Sequence, residues 1–459
     1  MSRKTEIYNL FEDARKYLKS KKTLDPEFRI KMLKRLRTTL KRYESAIYRA
    51  LQTDLNKCEQ EALMTEVSVV FTEIDYVLKN IRVWTKPRPC RPSMVQMPGK
   101  VRVYDEPYGV VLIISPWNYP FQLTLLPLIG AIAAGNCVIL KPSAYSRHTT
   151  AVLEKICAEA FPRGFVSCVT GGREENVDLL DLPFDYIFFT GSPAVGKIVA
   201  KKAAEHLTPV TLELGGKSPV IIDETADISK TARRVAFGKL LNAGQTCVAP
   251  DYVYVHKRVK PRFISELTAQ FDIISAGGDY ADTCYPRIIN EKHFERLAAM
   301  LEEADIVYGG KIDAAKRRIY PTILENAPAD STLMQTEIFG PLLPLIEFED
   351  VETVFMALAE KAKPLAAYLF TSDDELAERF IREMPFGGGC INDCVMQVAT
   401  HFAPFGGVGN SGMGAYHGYA TYKTFSHGKT VLHKPWKMDN MMRHHPYTDK
   451  KLGLLKALL

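Results

Sequence analysis

PYGVVLIISPWNYPFQLTLLPLIGAIAAGNCVIL, residues 107–140, holds no charged side chain and no histidine. Its length alone would permit a bilayer crossing. Three prolines, Pro116, Pro120 and Pro127, interrupt it, and Trp117, Asn118, Tyr119 and Gln122 sit inside it. The run therefore reads as a buried strand over 110–114, a loop over 115–120, a helix, and a second strand over 137–140. Strands of a parallel sheet are covered on both faces, so they read as unbroken apolar stretches rather than as alternating ones.

The same alternation continues downstream. Helical patterning near 148–160 leads to strands at 165–169 and 185–189, then to a helix over 194–206 and strands at 210–214 and 220–222. This order predicts an α/β fold with a mostly parallel sheet covered by helices. Four prolines at 87, 89, 92 and 98 break the pattern, which reads as an excursion from the first domain, an arm. A chain of 459 residues is too long for one simple core and divides into two or three domains.

Composition excludes several classes. With 46% hydrophobic and 24% charged residues, the chain is neither collagenous nor disordered. Nine cysteines cannot all pair within one chain, and no secretory leader opens MSRKTEIYNL; a reducing, cytoplasmic location is expected. The net charge of +6 is uneven, since residues 15–57 hold fourteen Lys/Arg against four Asp/Glu. Leu33, Leu36, Leu40, Tyr43, Ile47 and Leu51 recur there at helical spacing, behind Asp25 as N-cap and Pro26 in the first turn. The charges then form a solvated helix face, and no nucleic-acid partner is expected. The C-terminal KKLGLLKALL is too short and too lysine-rich to span, so no transmembrane segment is expected either.

Chemistry enters at three places. DYIFFTGSPAVGKIVA puts Gly191 after an apolar strand and Gly196 inside the following helix, which Ser192 can cap; N–H groups there favour a phosphate. Gly191–Lys197 also matches most of a P-loop, but Ile198 stands where the magnesium-binding hydroxyl belongs. GQTCVAP (244–250) offers Cys247 as a nucleophile, in need of a field that lowers its pKa, or as buried filler. VTLELGG offers Glu213, flanked by leucines, as a base with a raised pKa or as a structural ion-pair partner.

Together these motifs resemble the aldehyde dehydrogenase superfamily. LELGGKSP (212–219) lies ahead of GQTCVAP, with 34 positions from Glu213 to Cys247. SPWNYP (115–120), KPS (141–143), FTGSPAVGK (189–197), EIFGP (337–341) and PFGG (404–407) follow in the family's order. CVAPDYV (247–253), KPLAAYLF (363–370) and PFGGVGNSGMGAYHG (404–418) resemble its class 3 and fatty-aldehyde branch.

The resemblance implies a Rossmann-like NAD(P)-binding domain (1–85 and 107–214), an α/β catalytic domain (215–415), and a small β oligomerisation arm with a C-terminal tail (86–106 and 416–459). It implies NAD or NADP as cofactor, an aldehyde substrate of medium or long aliphatic chain or aromatic character, and a homodimer. Cys247 falls on the nucleophile that forms a thiohemiacetal and then a thioester, Asn118 on the amide that holds the oxyanion, and Glu213 on the acid that activates the hydrolytic water. Lys141 falls on the residue near the adenosine ribose. Gly191, Ser192, Val195 and Gly196 fall on the turn near the pyrophosphate, Glu337 on the grip on the nicotinamide ribose, and Phe339 beside the ring. Ala144 departs from the glutamate many NAD-preferring relatives carry there, which removes a repulsion against a 2′-phosphate. Tyr119, Asn392 and Phe405 are candidates to line the aldehyde channel. Cys390 and Cys394 lack zinc-like partners, so no metal is expected; His401 and His417 read as loop-orienting residues. The alternatives are a CoA-acylating dehydrogenase, against which Glu213 argues, a Cys–His or P-loop hydrolase, and a binding protein that keeps the fold without activity.

Overall fold

A computed structural model describes residues 2–439 and 441–458. The apolar run that opens the sequence reading is strand Val110–Ile114, loop, helix Gln122–Ala134 and strand Cys137–Lys141. Helix Gln122–Ala134 buries almost its whole circumference, Leu123 to Ala134 included, which explains why its sequence shows no polar stripe. Pro127 lies inside this helix rather than ending it. As the sixth residue it deprives only Leu123, in the first turn, of a helical N–H partner. Among the described residues no helix is long and apolar enough to cross a membrane.

Two sheets carry the molecule. In the first, the strand order is 412–413, 210–213, 186–190, 110–114, 137–141, 166–168. All pairs are parallel except the short edge strand Gly412–Met413. The order reverses between Val110–Ile114 and Tyr186–Thr190, so the loops leaving these strands open a crevice at their carboxyl ends, where α/β sheets bind ligands. The second sheet runs 305–308, 322–325, 342–348, 252–256, 219–222, 366–370, 388–391, parallel but for its first strand. A small antiparallel sheet joins Arg88–Cys90, Lys100–Pro107 and Ser426–His433. Helix Gly418–Thr424 lies against Gln122–Ala134 of the first sheet's layer. The Thr421 side chain crosses Gly130 so closely that a Cβ there would meet it at 2.1 Å.

The basic N-terminal segment is helix Pro26–Leu55, capped by Asp25, whose carboxylate accepts from the Glu27 N–H. Leu33, Leu36, Leu40, Ile47 and Leu51 are buried, and most of its lysines and arginines face solvent. Arg29 is the buried exception, bonded to the carbonyls of Thr23, Leu24 and Ala133.

Candidate active site

A cleft of about 550 Å³ opens where the first sheet's loops meet the second sheet. Asn118, Gly191, Ser192, Glu213, Cys247, Glu337 and Phe339 all line it. Each arrives by a different route. Asn118 is on the loop after Val110–Ile114, and Glu213 closes strand Val210–Glu213. Cys247 precedes Tyr252–His256, and Glu337 precedes Leu342–Phe348.

Glu213 is 2% exposed, and neither carboxylate oxygen has a protein partner. Burial alone pushes its pKa well above the ordinary carboxylate value, so the proton is held more tightly than in water. Cys247 meets the reverse of the field a thiolate needs. Burial pushes its thiol up to about 12, and Glu337 and Glu213 add to the shift. The residue type and motif are as the sequence suggests, but two carboxyl groups surround the sulfur where a cation would lower its pKa. The protein should therefore alkylate slowly at Cys247, with a rate that climbs about tenfold per pH unit from about pH 7 to 10. Mass spectrometry of the Cys247 peptide after timed iodoacetamide exposure checks this; a plateau below about pH 8 would reveal a thiolate already formed.

Asn118 is 3% exposed. One of its amide hydrogens goes to the Gln245 carbonyl at 3.1 Å, two residues before Cys247. The NH₂ group has a second hydrogen to give. Thr246 is held by the Tyr119 hydroxyl at 2.6 Å.

The side of the cleft formed by helix Pro193–Ala204 and Gly215 is built for close approach. The Ser192 hydroxyl accepts the Val195 N–H at 3.5 Å and so caps helix Pro193–Ala204. Gly191 gives its N–H to the Glu213 carbonyl at 3.0 Å, so it supplies close passage rather than a donor. Gly196 faces Leu214, which a Cβ would meet at 2.6 Å. Gly215 passes Glu337 so closely that a Cβ would lie 2.1 Å from its carboxylate. Burial and Asp251 push Glu337 up to about 8, while the Gly216 N–H opposes the shift. Phe339 takes a positive φ of 50° and meets Trp117 edge-on at 5.4 Å. Thr190 Oγ1 and Glu337 Oε1 are buried without partners. Unpaired hydroxyl and carboxylate oxygens beside a capped helix start fit the ribose hydroxyls and pyrophosphate of a dinucleotide.

Lys141, Val195 and Gly196 are not among the lining residues. The Lys141 ammonium is buried and gives its protons to the carbonyls of Pro142 and Gly171 at 3.0 and 2.7 Å; burial lowers it to about 8.

Among the lining residues that the sequence did not single out are His293 and Arg296. Arg296 bonds the carbonyls of Glu337 and Ile338 at 3.3 and 2.6 Å. Burial, aided by Arg296, lowers His293 to about 4 and keeps it neutral. The available signal was their spacing of three on helix Glu291–Met300, one turn apart on the same face.

On the other side of Cys247 lies an apolar channel of about 170 Å³, lined among others by Tyr119, Phe237, Val395, Met396, Phe405 and Tyr416. Cys247, Leu123, Phe405 and Tyr416 belong to both cavities. Asn392 is not part of the channel: its amide clamps the Thr371 N–H and carbonyl at 2.9 and 2.8 Å. His417 lines the channel, with Nδ1 3.1 Å from the Thr400 carbonyl. Cys390 gives its thiol proton to Gln397. Among the described residues no group of three or more His, Cys, Asp or Glu could hold a metal ion.

The chain is similar to known proteins over nearly its whole length. A family model described as the aldehyde dehydrogenase family matches residues 1–431. The 4,4'-diaponeurosporen-aldehyde dehydrogenase of Staphylococcus aureus is 44% identical over 446 residues, covering 97% of each chain. A dimeric NADP-preferring aldehyde dehydrogenase of Canis lupus familiaris is 39% identical, covering 96% of this chain and 97% of that one. The substrate-bound state of Staphylococcus aureus AldH superposes with a TM-score of 0.96 at 43% identity, covering 98% of this chain and 99% of that one.

Proposed function

The chain belongs to the aldehyde dehydrogenase family, and on that premise we propose the part each residue plays in its reaction. The reaction is the NAD(P)-dependent oxidation of an aldehyde to a carboxylic acid. The bound nicotinamide supplies the hydride acceptor. Cys247 gives its proton to solvent water and its sulfur attacks the aldehyde carbon, which leaves an alkoxide oxygen on a thiohemiacetal. The free hydrogen of the Asn118 amide stabilises that oxygen without exchanging a proton. Loss of hydride from the same carbon leaves a thioester. Glu213, as carboxylate, takes a proton from water; the resulting hydroxide attacks the thioester carbon, releases the acid and restores the thiolate.

One observation carries this reading: Cys247 is shared by the cleft in which buried Glu213 has both oxygens free and by an apolar channel. The channel favours aldehydes of medium or long aliphatic chain or aromatic character. Transfer of the acyl group to water rather than to coenzyme A follows from Glu213. The name of the Staphylococcus aureus relative, for 4,4'-diaponeurosporen-aldehyde, supports a large substrate.

For the cofactor, Gly191, Ser192, Val195 and Gly196 form the turn and helix start at the pyrophosphate, and Lys141 stands near the adenosine ribose. Glu337 holds the nicotinamide ribose, and Phe339 packs beside the ring. Ala144 leaves room for a 2′-phosphate, in keeping with the NADP preference in the name of the canine relative. We place 1–85 and 107–214 in the nucleotide domain, 215–415 in the catalytic domain, and 86–106 and 416–459 in a dimerisation arm and tail. The unpaired outer edge of Ser426–His433 is the arm's available edge for a homodimer. Nine free thiols suit the cytoplasm.

A panel of aldehydes of about two to sixteen carbons plus benzaldehyde, with each cofactor, tests the substrate and cofactor assignments together. The expected result is a kcat/KM that rises with chain length as each added methylene is buried, by about fourfold per CH₂ until the channel is full. NAD and NADP should give comparable values. Strict use of NAD removes the Ala144 argument, and a preference for acetaldehyde removes the channel argument.

A further inference from the structure

We propose that Lys57 and Glu66 are positioning residues for the oxyanion donor: a buried ion pair that sets the loop carrying the Asn118 amide. The proposal rests on the assignment of Asn118 given above. Both side chains have no exposed surface, and Lys57 Nζ gives a proton to Glu66 Oε1 at 2.6 Å. Two opposite charges held out of water lose more solvation than an apolar pair of the same volume, so a purely space-filling site would not call for them.

Their remaining bonds all go to one loop. Lys57 Nζ donates to the Asn118 carbonyl at 2.9 Å and lies 3.9 Å above the Tyr119 ring. Glu66 Oε2 accepts from the Phe121 and Gln122 N–H groups at 2.9 and 3.2 Å. The loop is thus held at the Asn118 carbonyl and at the Phe121 and Gln122 amides, with Tyr119 and Pro120 between.

The grip is continuous with the nucleophile. Asn242 Nδ2 shares the Asn118 carbonyl at 2.9 Å and also donates to the Gln245 carbonyl at 3.1 Å. That same Gln245 carbonyl accepts the Asn118 amide. Asn242 itself has φ 51°, and its N–H is taken by Glu61. Lys57 follows Asn56, the left-handed cap of helix Pro26–Leu55, and Glu66 lies on the π-turn Leu63–Val67. Such turns re-aim a side chain out of helical register. The pair therefore reaches from the N-terminal helices to the backbone of the residue whose amide is assigned to the substrate oxygen.

The test is single-turnover NAD(P)H formation in E66Q, K57M/E66L, N118A and E66Q/N118A. Glutamine keeps the volume of Glu66 but turns a donor toward either the Lys57 ammonium or the two loop N–H groups. The expected result is a first-turnover rate lower by about tenfold or more in E66Q and in K57M/E66L, because a displacement of about 1 Å is enough for that. Cofactor Kd should stay within about twofold, and N118A should lose at least as much as E66Q. E66Q/N118A should lose no more than N118A alone, since the pair acts only through Asn118. A wild-type first-turnover rate in folded E66Q, with N118A impaired, overturns the positioning role. So does a loss in E66Q/N118A equal to the product of the two separate losses. A wild-type rate in N118A instead overturns the assignment of Asn118. If K57M/E66L does not fold, E66Q decides alone.

Discussion

Cys247→Ser will bind NAD(P) with nearly unchanged affinity and lose aldehyde oxidation by roughly a thousandfold or more. The volume and half-buried position of the side chain survive the change, so the cleft keeps its shape. What disappears is the accessible anion. The thiol already resists ionisation, held up by burial and by Glu337 and Glu213. A serine hydroxyl in the same surroundings resists more strongly still, because its intrinsic acidity is lower and no histidine among the described residues is hydrogen-bonded there to activate it. A thousandfold corresponds to about 4 kcal/mol of lost transition-state stabilisation. Cofactor binding by fluorescence titration and turnover by NAD(P)H absorbance, in the same preparation, decide the point. Residual activity above about a hundredth of wild type would assign the attack to another group. Because the two cavities meet at this residue, the outcome also separates the dehydrogenase from a protein that keeps the fold and binds nucleotide without chemistry.

Legibility in the sequence followed the range of the interactions. Strand Val110–Ile114 and helix Gln122–Ala134 are set by local hydrophobic pattern, and the chargeless run separated them correctly because prolines and Trp117, Asn118 and Tyr119 mark the loop. Cys247 and Glu213 stand in short motifs whose residue types and order carry the family resemblance. Pairs made over long separations left no such trace. Lys57 reaches Asn118 across 61 positions, and nothing near Lys57 distinguishes it from the many surface lysines of the basic segment. Asn392 is a channel candidate in the sequence, but its amide is spent on Thr371. The thiol's electrostatics were also hidden, since they depend on Glu337, ninety residues away in the chain, coming to lie beside the sulfur. Sequence therefore tells which groups are present, while their protonation is a property of packing.

Glu213→Gln will give a burst of NAD(P)H close to one per active site, followed by a steady state slower by about a hundredfold or more, the usual contribution of a general base. Acylation needs Cys247 and the Asn118 amide, neither of which the change removes. Deacylation needs a group that accepts a proton from water, and a glutamine amide cannot. The pH dependence sharpens the test. Burial raises the Glu213 pKa well above the ordinary carboxylate value, so in wild type the carboxyl is protonated at low pH and useless as a base. The deacylation rate should rise as pH climbs through that raised pKa, and this limb should vanish in E213Q. Stability moves the other way. A carboxyl with a raised native pKa binds more protons folded than unfolded, so above its unfolded pKa it makes the fold less stable as pH rises, up to the native pKa. The variant removes that penalty, and its Tm at neutral pH should equal or exceed that of wild type. A lower Tm with no burst would mark Glu213 as a structural carboxylate. An unchanged steady-state rate would move the base to Glu337, whose own pKa, pushed up to about 8, makes it the next acceptor in the cleft.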